Sequence, residues 1–194
     1  MKWDSSPVLA AGIIAGFAAL PQQVLALNMG NLVYEPVEPC RIVDTRASTG
    51  GSLASGVPQS FLASGTGTEL AAQGGDAAGC EHPRSAAGVS PVAISANVTA
   101  VGRQANANGF VVAYPTGSTA PTASLVNFTT AANIANSAIV GLCEGTSCTA
   151  DFDLLANVTV PAIVDVQGYF YPQAGNVISV SPSGGDFATI VDAM

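Results

Sequence analysis

The chain is organised around Glu38-Pro39-Cys40-Arg41-Ile42-Val43-Asp44-Thr45-Arg46, a stretch that combines a cysteine, two arginines and an aspartate. Pro39 fixes its own φ and disfavours helix immediately before it, and the pair Ile42-Val43 favours a pleated, partly buried strand. Alternate residues of a strand share one face, so we expect Asp44 and Arg46 to form a local structural ion pair. We therefore interpret this stretch as a structural anchor, held by a disulfide and an ion pair.

Composition restricts the classes of protein that this chain fits. Its 194 residues suit one domain with tails. Charged residues make up 9% of the chain, against about a quarter of a typical globular domain, which favours small-residue strands and turns over helices with charged faces. The net charge of −8 argues against a nucleic-acid partner, because binding to phosphates requires Lys and Arg.

Residues 1–26 have the layout of a signal peptide. An almost unbroken apolar run, Pro7 to Leu20, precedes Val24-Leu25-Ala26, where small or aliphatic residues suit cleavage after Ala26. A membrane anchor is the alternative, but about 14 apolar residues fall short of the roughly 20 that span a bilayer. We expect removal of this segment to leave no stable membrane span, and the mature protein to be secreted or held at the cell surface.

Four cysteines in an exported chain predict two disulfides, for which three connectivities exist. Cys143 and Cys148 bracket a turn-like segment and are the natural short-loop pair, which leaves Cys40 with Cys80. The longer loop of about 41 residues would contribute on the order of 4 kcal/mol in the chain-entropy model, and the short one about 2 kcal/mol. A zinc site is the alternative, against which a single histidine and the lack of Cys-x-x-Cys argue.

From residue 91 onward the sequence alternates in the way that β-strands do. Residues 92–101 alternate aliphatic and polar side chains, and Asn108-Gly109 before residues 110–114 is a strong turn signal. Further strands are predicted in residues 124–130, 136–142 and 154–171. Residues 47–79, rich in Gly, Ser, Ala and Thr, are predicted to form loops with one or two short strands.

Short strands separated by Gly, Pro and Asn turns, without a sustained helical period, predict an all-β fold. We expect an antiparallel β-sandwich of jelly-roll or barrel-like type over residues 27–173. In the last strand, the alternation predicts which side chains face the core (Val164, Val166, Phe170) and which face outward (Asp165, Gln167, Tyr169).

Five blocks of sequence follow one another in a recognisable order: Pro39 to Arg46, Gly79-Cys80, Ala96 to Val101, Gly109 to Pro115 and Ile163 to Phe170. Together they resemble a module of bacterial extracellular proteins that starts with Pro-Cys-Arg-[Ile/Leu]-x-Asp-Thr-Arg and ends with Asp-Val-x-Gly-Tyr-Phe. The match covers residues 33–171, and Cys143 and Cys148 lie outside the pattern. The resemblance implies a surface or secreted β-domain that is often appended to other domains, and it carries over no activity.

Residues 176–190 contain a short apolar run that leads through Gly184-Gly185-Asp186-Phe187 to a capping box, with Thr189 as N-cap and Asp192 at N3. This tail resembles the opening of a pectin-lyase-like parallel β-helix, in which a first strand turns into a capping helix. We therefore interpret residues 174–194 as a linker and the truncated start of a second domain, a right-handed parallel β-helix.

Few side chains are candidates for catalysis or metal binding. His82 has no nucleophile motif such as Gly-x-Ser-x-Gly near it, so a position in a surface loop is favoured over a role as general base. Asp151, Asp153 and Asp165 offer oxygens to Ca²⁺, but they lack EF-hand spacing and solvated acids are favoured. We expect no catalytic residue, no metal and no cofactor.

Tyr169 and Tyr171 lie two residues apart in the last predicted strand. An exposed aromatic strip of this kind can bind carbohydrate by stacking on sugar rings. It can equally pack under a loop or a neighbouring domain, which is the interpretation we favour.

The sequence as a whole predicts a non-catalytic secreted or cell-surface β-module with a structural or adhesive role. Its expected partners are cell-surface polysaccharide or other surface proteins. The alternative is an accessory or carbohydrate-binding domain of a polysaccharide-acting β-helix enzyme, whose catalytic part lies beyond residue 194.

Overall fold

The computed structural model describes residues 32–80, 88–145 and 147–172, which form eight β-strands, one short α-helix and one 3₁₀ helix (Gly102–Gln104). The strands are β1 (Leu32–Asp44), β2 (Gln59–Phe61), β3 (Ala93–Ala100), β4 (Gly109–Pro115), β5 (Val126–Phe128), β6 (Ile134–Gly141), β7 (Phe152–Ala156) and β8 (Ala162–Pro172). They form sheet A, in the order β1-β8-β3-β6, and sheet B, in the order β2-β7-β4-β5. Every strand pairing is antiparallel. The predicted all-β class is confirmed.

Several predictions concern residues outside the described part of the chain. They are the signal peptide (residues 1–26), the loop position of His82 and the start of a β-helix (residues 174–194). Among the described residues, no helix is long and apolar enough to cross a bilayer.

The core is a single cluster to which both sheets contribute. Sheet A supplies side chains such as Ile94, Val98 and Val164, and sheet B supplies side chains such as Phe152 and Leu154. Burial of one such aliphatic or aromatic side chain stabilises the fold by about 1.5–3 kcal/mol. The alternation predicted for residues 92–101 is confirmed, because every second residue of β3 from Ile94 onward is fully buried.

Residues 47–79 contain one element that their composition does not suggest, the helix α1 (Gly67–Ala72). Its first turn is closed by a capping box, in which the Thr66 side chain accepts a hydrogen bond from the Glu69 amide and the Glu69 carboxylate accepts one from the Thr66 amide. The spacing Thr-x-x-Glu was a visible signal for this helix. The prediction of loops and short strands alone was wrong here.

Residues 154–171, predicted as one strand, form parts of two strands. β7 ends at Ala156 in sheet B, and β8 begins at Ala162 in sheet A. Pro161 lies in the crossing, where it has no N–H to donate to a strand and its carbonyl accepts the Val101 amide at 2.8 Å. Alternation persists on both sides of the crossing, so it could not reveal the change of sheet.

A β-bulge at Gln167 reverses the alternation within β8. Ser95 of β3 pairs with Gly168, and the next residue, Ala96, pairs with Val166, so Gln167 is the additional residue. Beyond a bulge every side chain moves to the other face. The core therefore receives Tyr169, which is 0% exposed.

Phe170 is only partly buried, and it lies on the opposite face of β8 from Tyr169. The predicted orientations of these two residues were wrong, because the bulge depends on pairing with distant strands.

Candidate functional site

The two ends of the resemblance pattern lie side by side in the structure. β1 carries the first motif and β8 the last, and their pairing places Cys40 opposite Val166 and Arg41 opposite Asp165. We call Cys40–Arg46 together with Asp165 the motif junction. Three ion pairs lie at this junction, so it is the first place to look for chemistry.

Arg41 and Asp165 form a two-point ion pair across the strands. The Arg41 Nε atom lies 2.8 Å from Asp165 Oδ1, and the Nη2 atom lies 3.3 Å from Oδ2. The hydrogen bond to this carboxylate raises the pKa of the Arg41 guanidinium. Sequence reasoning missed this pair, since it assigned Asp165 to solvent or calcium.

The predicted ion pair between Asp44 and Arg46 is confirmed. Arg46 donates from Nη2 to Asp44 Oδ2 at 2.6 Å and from Nε to Oδ1 at 2.8 Å, and its backbone amide donates to Oδ1 at 3.1 Å. Arg46 lies in the turn after β1, so the turn brings the two side chains together and a shared strand face does not. The Asp44 side chain is 9% exposed, and its bonds to Arg46 lower the pKa of its carboxyl.

The Asp44 carboxylate also connects the two ion pairs. The Arg41 Nη1 atom lies 3.6 Å from Asp44 Oδ2, so Arg46, Asp44, Arg41 and Asp165 form one chain of alternating charges. The remaining polar residue of the motif, Thr45, is 1% exposed. Its Oγ1 atom accepts the amide of Ala162, the first residue of β8, at 2.8 Å. Arg41 and Thr45 therefore join β1 to β8, and Asp44 and Arg46 hold the turn that follows β1.

Both predicted disulfides are present. Cys40 is bonded to Cys80, with Cα atoms 5.7 Å apart, and Cys143 is bonded to Cys148, with Cα atoms 6.0 Å apart. The first fixes the end of residues 73–80 against β1, whose Arg41 carbonyl accepts the Asp76 amide at 2.9 Å. The disulfide prediction from spacing is confirmed.

Gln73 is a residue that sequence reasoning did not find. Its Nε2 atom donates to the carbonyls of Ile42 at 2.8 Å and Leu62 at 2.7 Å, and its Oε1 atom accepts the Leu62 amide at 3.0 Å. One amide side chain thus joins the edge of β1 to the end of β2. No local pattern marks a glutamine for this role, because its partners are 31 and 11 residues away.

The three carboxylates considered for calcium have different partners. Asp151 Oδ2 accepts the Ala63 amide at 2.7 Å, and Asp153 Oδ1 accepts the Thr116 hydroxyl at 2.8 Å, while Asp165 binds Arg41. Among the described residues, no group of three or more His, Cys, Asp or Glu side chains is placed to hold a metal ion.

The two tyrosines considered for carbohydrate are interior residues. Tyr169 and Tyr171 are each 0% exposed, with ring centroids 6.2 Å apart. The Tyr169 hydroxyl donates to the carbonyl of Ala63 at 3.2 Å, and burial raises its pKa. The carbohydrate-binding role considered for them requires exposed ring faces, so it is corrected: both rings pack in the core. The favoured alternative expected them to be covered, but by a loop or a neighbouring domain.

The bulge instead leaves a different aromatic pair on the outside of sheet A. Tyr34 is 44% exposed, and its ring centroid lies 4.9 Å from that of Phe170. Its hydroxyl donates to the carbonyl of Gln167 at 3.2 Å. The ring also covers Gly168, where a Cβ atom would lie 2.5 Å from it, so the glycine of the second motif makes room for the aromatic residue of β1.

The rest of this outer face consists mainly of small uncharged residues, with Ile139 as a large apolar side chain and Asp165 as a charged one. Across β8, β3 and β6, one row contains Gly168, Ser95 and Ile139, and the next contains Asp165, Asn97 and Ser137. Ile139 is 67% exposed. We call this surface the outer face of sheet A; it can make apolar and hydrogen-bonding contacts.

Comparison of the chain with protein-family models, with curated proteins and with solved structures found no match. The function proposed below therefore depends on the residues described above. Their polar groups serve mainly to connect strands, and the outer face of sheet A and its edge are the exposed surfaces with distinctive character.

Proposed function

We propose that the chain is a non-catalytic secreted or cell-surface β-module with a structural or adhesive role. Its body is an antiparallel sandwich of jelly-roll or barrel-like type, preceded by a signal peptide and followed by the start of a parallel β-helix. Its partners are cell-surface polysaccharide or other surface proteins. Two disulfides support an oxidising, extracellular setting.

The observation that carries the proposal is that the charged residues of the motifs pair with one another within the fold. Arg41, Asp44, Arg46 and Asp165 bind one another, and Thr45 binds the backbone of β8. A catalytic group needs a reacting atom within reach and a pKa matched to its task. Here the bonds between these groups lower the pKa of Asp44 and raise the pKa of Arg41 and Arg46, so these three side chains are held in their charged forms by structural contacts.

The test is to express the full chain in a secreting bacterial host and to follow where it goes. We expect export, cleavage after Ala26, two intact disulfides by mass spectrometry, and retention of the exported chain on intact cells or isolated cell walls. Chain that stays inside the cell with four titratable thiols would contradict the secreted assignment. Exported chain that washes off cells and walls completely would contradict the adhesive role.

Carbohydrate binding is a second candidate, supported by the exposure of Tyr34 beside polar residues of the outer face of sheet A. An exposed tyrosine offers an apolar ring and a polar tip to a sugar. In co-sedimentation with insoluble polysaccharides, Tyr34→Ala should weaken binding at least about tenfold, the loss of roughly 1.4 kcal/mol. Val57→Ala is the matched control, because Val57 is 56% exposed in a loop. Equal binding by both variants would reject this candidate and leave the structural role.

A further inference from the structure

The four sheet edges of the described fold are protected very unevenly. An exposed edge strand offers unpaired N–H and C=O groups to other chains, and natural proteins blunt such edges with prolines, charges, short strands or covering loops. β2 and β5, at the edges of sheet B, have 3 residues each. β1, at one edge of sheet A, contains Glu35, Pro36, Glu38 and Pro39.

The second half of β1 is covered as well. Residues 73–80 lie along it, with the Asp44 amide donating to the Gln73 carbonyl at 3.0 Å and the Asp76 amide donating to the Arg41 carbonyl at 2.9 Å. Three of the four edges therefore carry a protective device.

Among the residues that the structure describes, none of these devices protects β6, the other edge of sheet A. Its 8 residues, Ile134–Gly141, include no charged residue and no proline, and they pair with β3 along their full length. Ile139 is 67% exposed and Ile134 is 37% exposed. β6 is thus a long, neutral edge with apolar side chains beside it.

The hydrogen bonds at the ends of β3 show which backbone groups of β6 point outward. The Leu142 amide donates to the Val92 carbonyl at 2.9 Å, and antiparallel bonding alternates from one residue pair to the next. Even-numbered residues of β6 therefore bond to β3, and Ala135, Ser137 and Ile139 direct their N–H and C=O groups away from it. The opposite side of β3 agrees with this assignment. The Val101 amide donates to the Pro161 carbonyl at 2.8 Å, so odd-numbered residues of β3 bond toward β8 and even-numbered ones bond toward β6.

We propose that two copies of this chain pair antiparallel along β6, with a two-fold axis at Ser137, and so continue sheet A across a dimer. This inference goes beyond the proposed function and does not depend on it. It rests on two features of β6: the backbone groups that point away from β3, and side chains that fit those of a second β6 running in the opposite direction.

The sequence of β6 is complementary to its own reverse about Ser137. An isologous interface requires each residue to suit the one that the symmetry places opposite it. The axis at Ser137 places Ile139 of one copy opposite Ala135 of the other, a large side chain against a small one. It places Ile134 opposite Val140, and Asn136 opposite Ala138, so no pair joins two bulky outer-face residues or two charges.

Charge also favours a second copy at this edge over other approaches of two copies. The chain has a net charge of −8, so most pairs of faces would repel each other. The residues of β3 beside β6 on the outer face are Ser95, Asn97 and Thr99, and the next carboxylate along a row, Asp165, is neutralised by Arg41. Two copies can therefore approach along β6 without bringing unpaired carboxylates of these rows together.

The test is sedimentation velocity of the full chain from micromolar to millimolar concentration. We expect a reversible monomer–dimer equilibrium. Ser137→Pro removes an outward N–H and leaves the bonds to β3 intact, and Ile139→Lys places a charge at the edge. Each should raise the dimer Kd at least about tenfold, while Val57→Lys, the same kind of change at an exposed site away from β6, should leave the Kd unchanged. Circular dichroism and Tm confirm that each variant is folded.

The register can be tested by crosslinking. Ser137→Cys should form a disulfide with the same residue of a second copy, whereas Ala135→Cys should not, because its counterpart is Ile139. The proposal would be overturned by a monomer at all concentrations, or by a dimer that survives both Ser137→Pro and Ile139→Lys. Concentration-independent protection of the Ser137 amide from hydrogen exchange in the monomer would also overturn it, since another segment of the same chain would then occupy the edge.

Discussion

Arg41 of β1 and Asp165 of β8 lie directly opposite each other and are joined by two hydrogen bonds of 2.8 Å and 3.3 Å. The two residues are 124 positions apart in the chain. Their bond therefore joins the first and last motifs of the module, next to the Cys40–Cys80 disulfide and the Asp44–Arg46 pair. The two motifs therefore contain the residues through which the first and last strands of the module hold each other.

The Arg41–Asp165 pair should contribute modestly to stability, because the side chains are 42% and 25% exposed. A double-mutant cycle with Arg41→Gln and Asp165→Asn is expected to give a coupling energy of about 0.5–1 kcal/mol at low salt. Chemical denaturation of the four proteins measures it. High salt should reduce the coupling, and a coupling that salt leaves unchanged would contradict the exposed character assigned to this pair.

Asp44 should make stability depend on pH. Its pKa is lowered in the folded state by Arg46, so its contribution is fully present above the unfolded pKa of about 3.9 and is lost as pH falls through the lower folded pKa. Asp44→Asn should lower the free energy of unfolding by about 2 kcal/mol at neutral pH. The difference from the wild type should shrink below about pH 4.

Denaturation curves across pH test this expectation. Glu38→Gln is the control, since it removes an exposed carboxylate from the same strand. The role assigned to Asp44 fails if the wild type and Asp44→Asn differ by a constant amount from neutral to acid pH.

Most features that the sequence predicted correctly join residues close together in the chain, although the local helix α1 was missed, and most features that depend on distant strands could not be predicted. The Asp44–Arg46 pair and the Cys143–Cys148 disulfide join residues close in sequence, and spacing predicted both. Tyr169 was placed on the wrong face, because the bulge at Gln167 arises from pairing with β3 and β1. The alternation of β8 contains no sign of it.

Gln73 shows the same limit for a polar contact. Its three hydrogen bonds join backbone groups of Ile42 and Leu62, and it could be recognised only after the strands that carry those groups were in place. The predicted Cys40–Cys80 disulfide is the exception among distant contacts, because the small number of cysteines left few pairings.

Loss of the Gln73 side-chain amide should destabilise the fold, and a negative charge at this position should destabilise it further. Gln73→Leu should cost about 2–3 kcal/mol, because the carbonyls of Ile42 and Leu62 and the amide of Leu62 lose partners. Gln73→Glu places a carboxylate against two carbonyls, so its folded pKa is raised and its protonated form is favoured. Gln73→Glu should therefore be the less stable variant at pH 7 and should recover relative to Gln73→Leu as pH falls below the raised pKa. Thermal denaturation of both variants at several pH values measures this, and parallel pH profiles would contradict it.

The two disulfides should differ in their effect on stability. The Cys40–Cys80 bond spans a sequence separation of 40 and the Cys143–Cys148 bond spans 5. Replacement of both cysteines by serine should cost about 4 kcal/mol for the first pair and about 2 kcal/mol for the second in the chain-entropy model. Urea denaturation of the two double variants provides the comparison. A larger loss from the Cys143–Cys148 pair would show that its loop stabilises the fold through contacts beyond chain closure.

The packing of Tyr34 over Gly168 gives a prediction in which a second substitution repairs the first. A Cβ atom at Gly168 would lie 2.5 Å from the Tyr34 ring, so Gly168→Ala should displace the ring, break its bond to the Gln167 carbonyl and cost about 1–3 kcal/mol. Tyr34→Ala alone should also destabilise the fold, because it exposes the glycine and Phe170. The double variant has room for the new methyl group and should be more stable than the sum of the two losses implies. If the two losses in unfolding free energy are strictly additive, the ring and the glycine are not coupled. The packing of Tyr34 would then not be the reason for glycine at position 168.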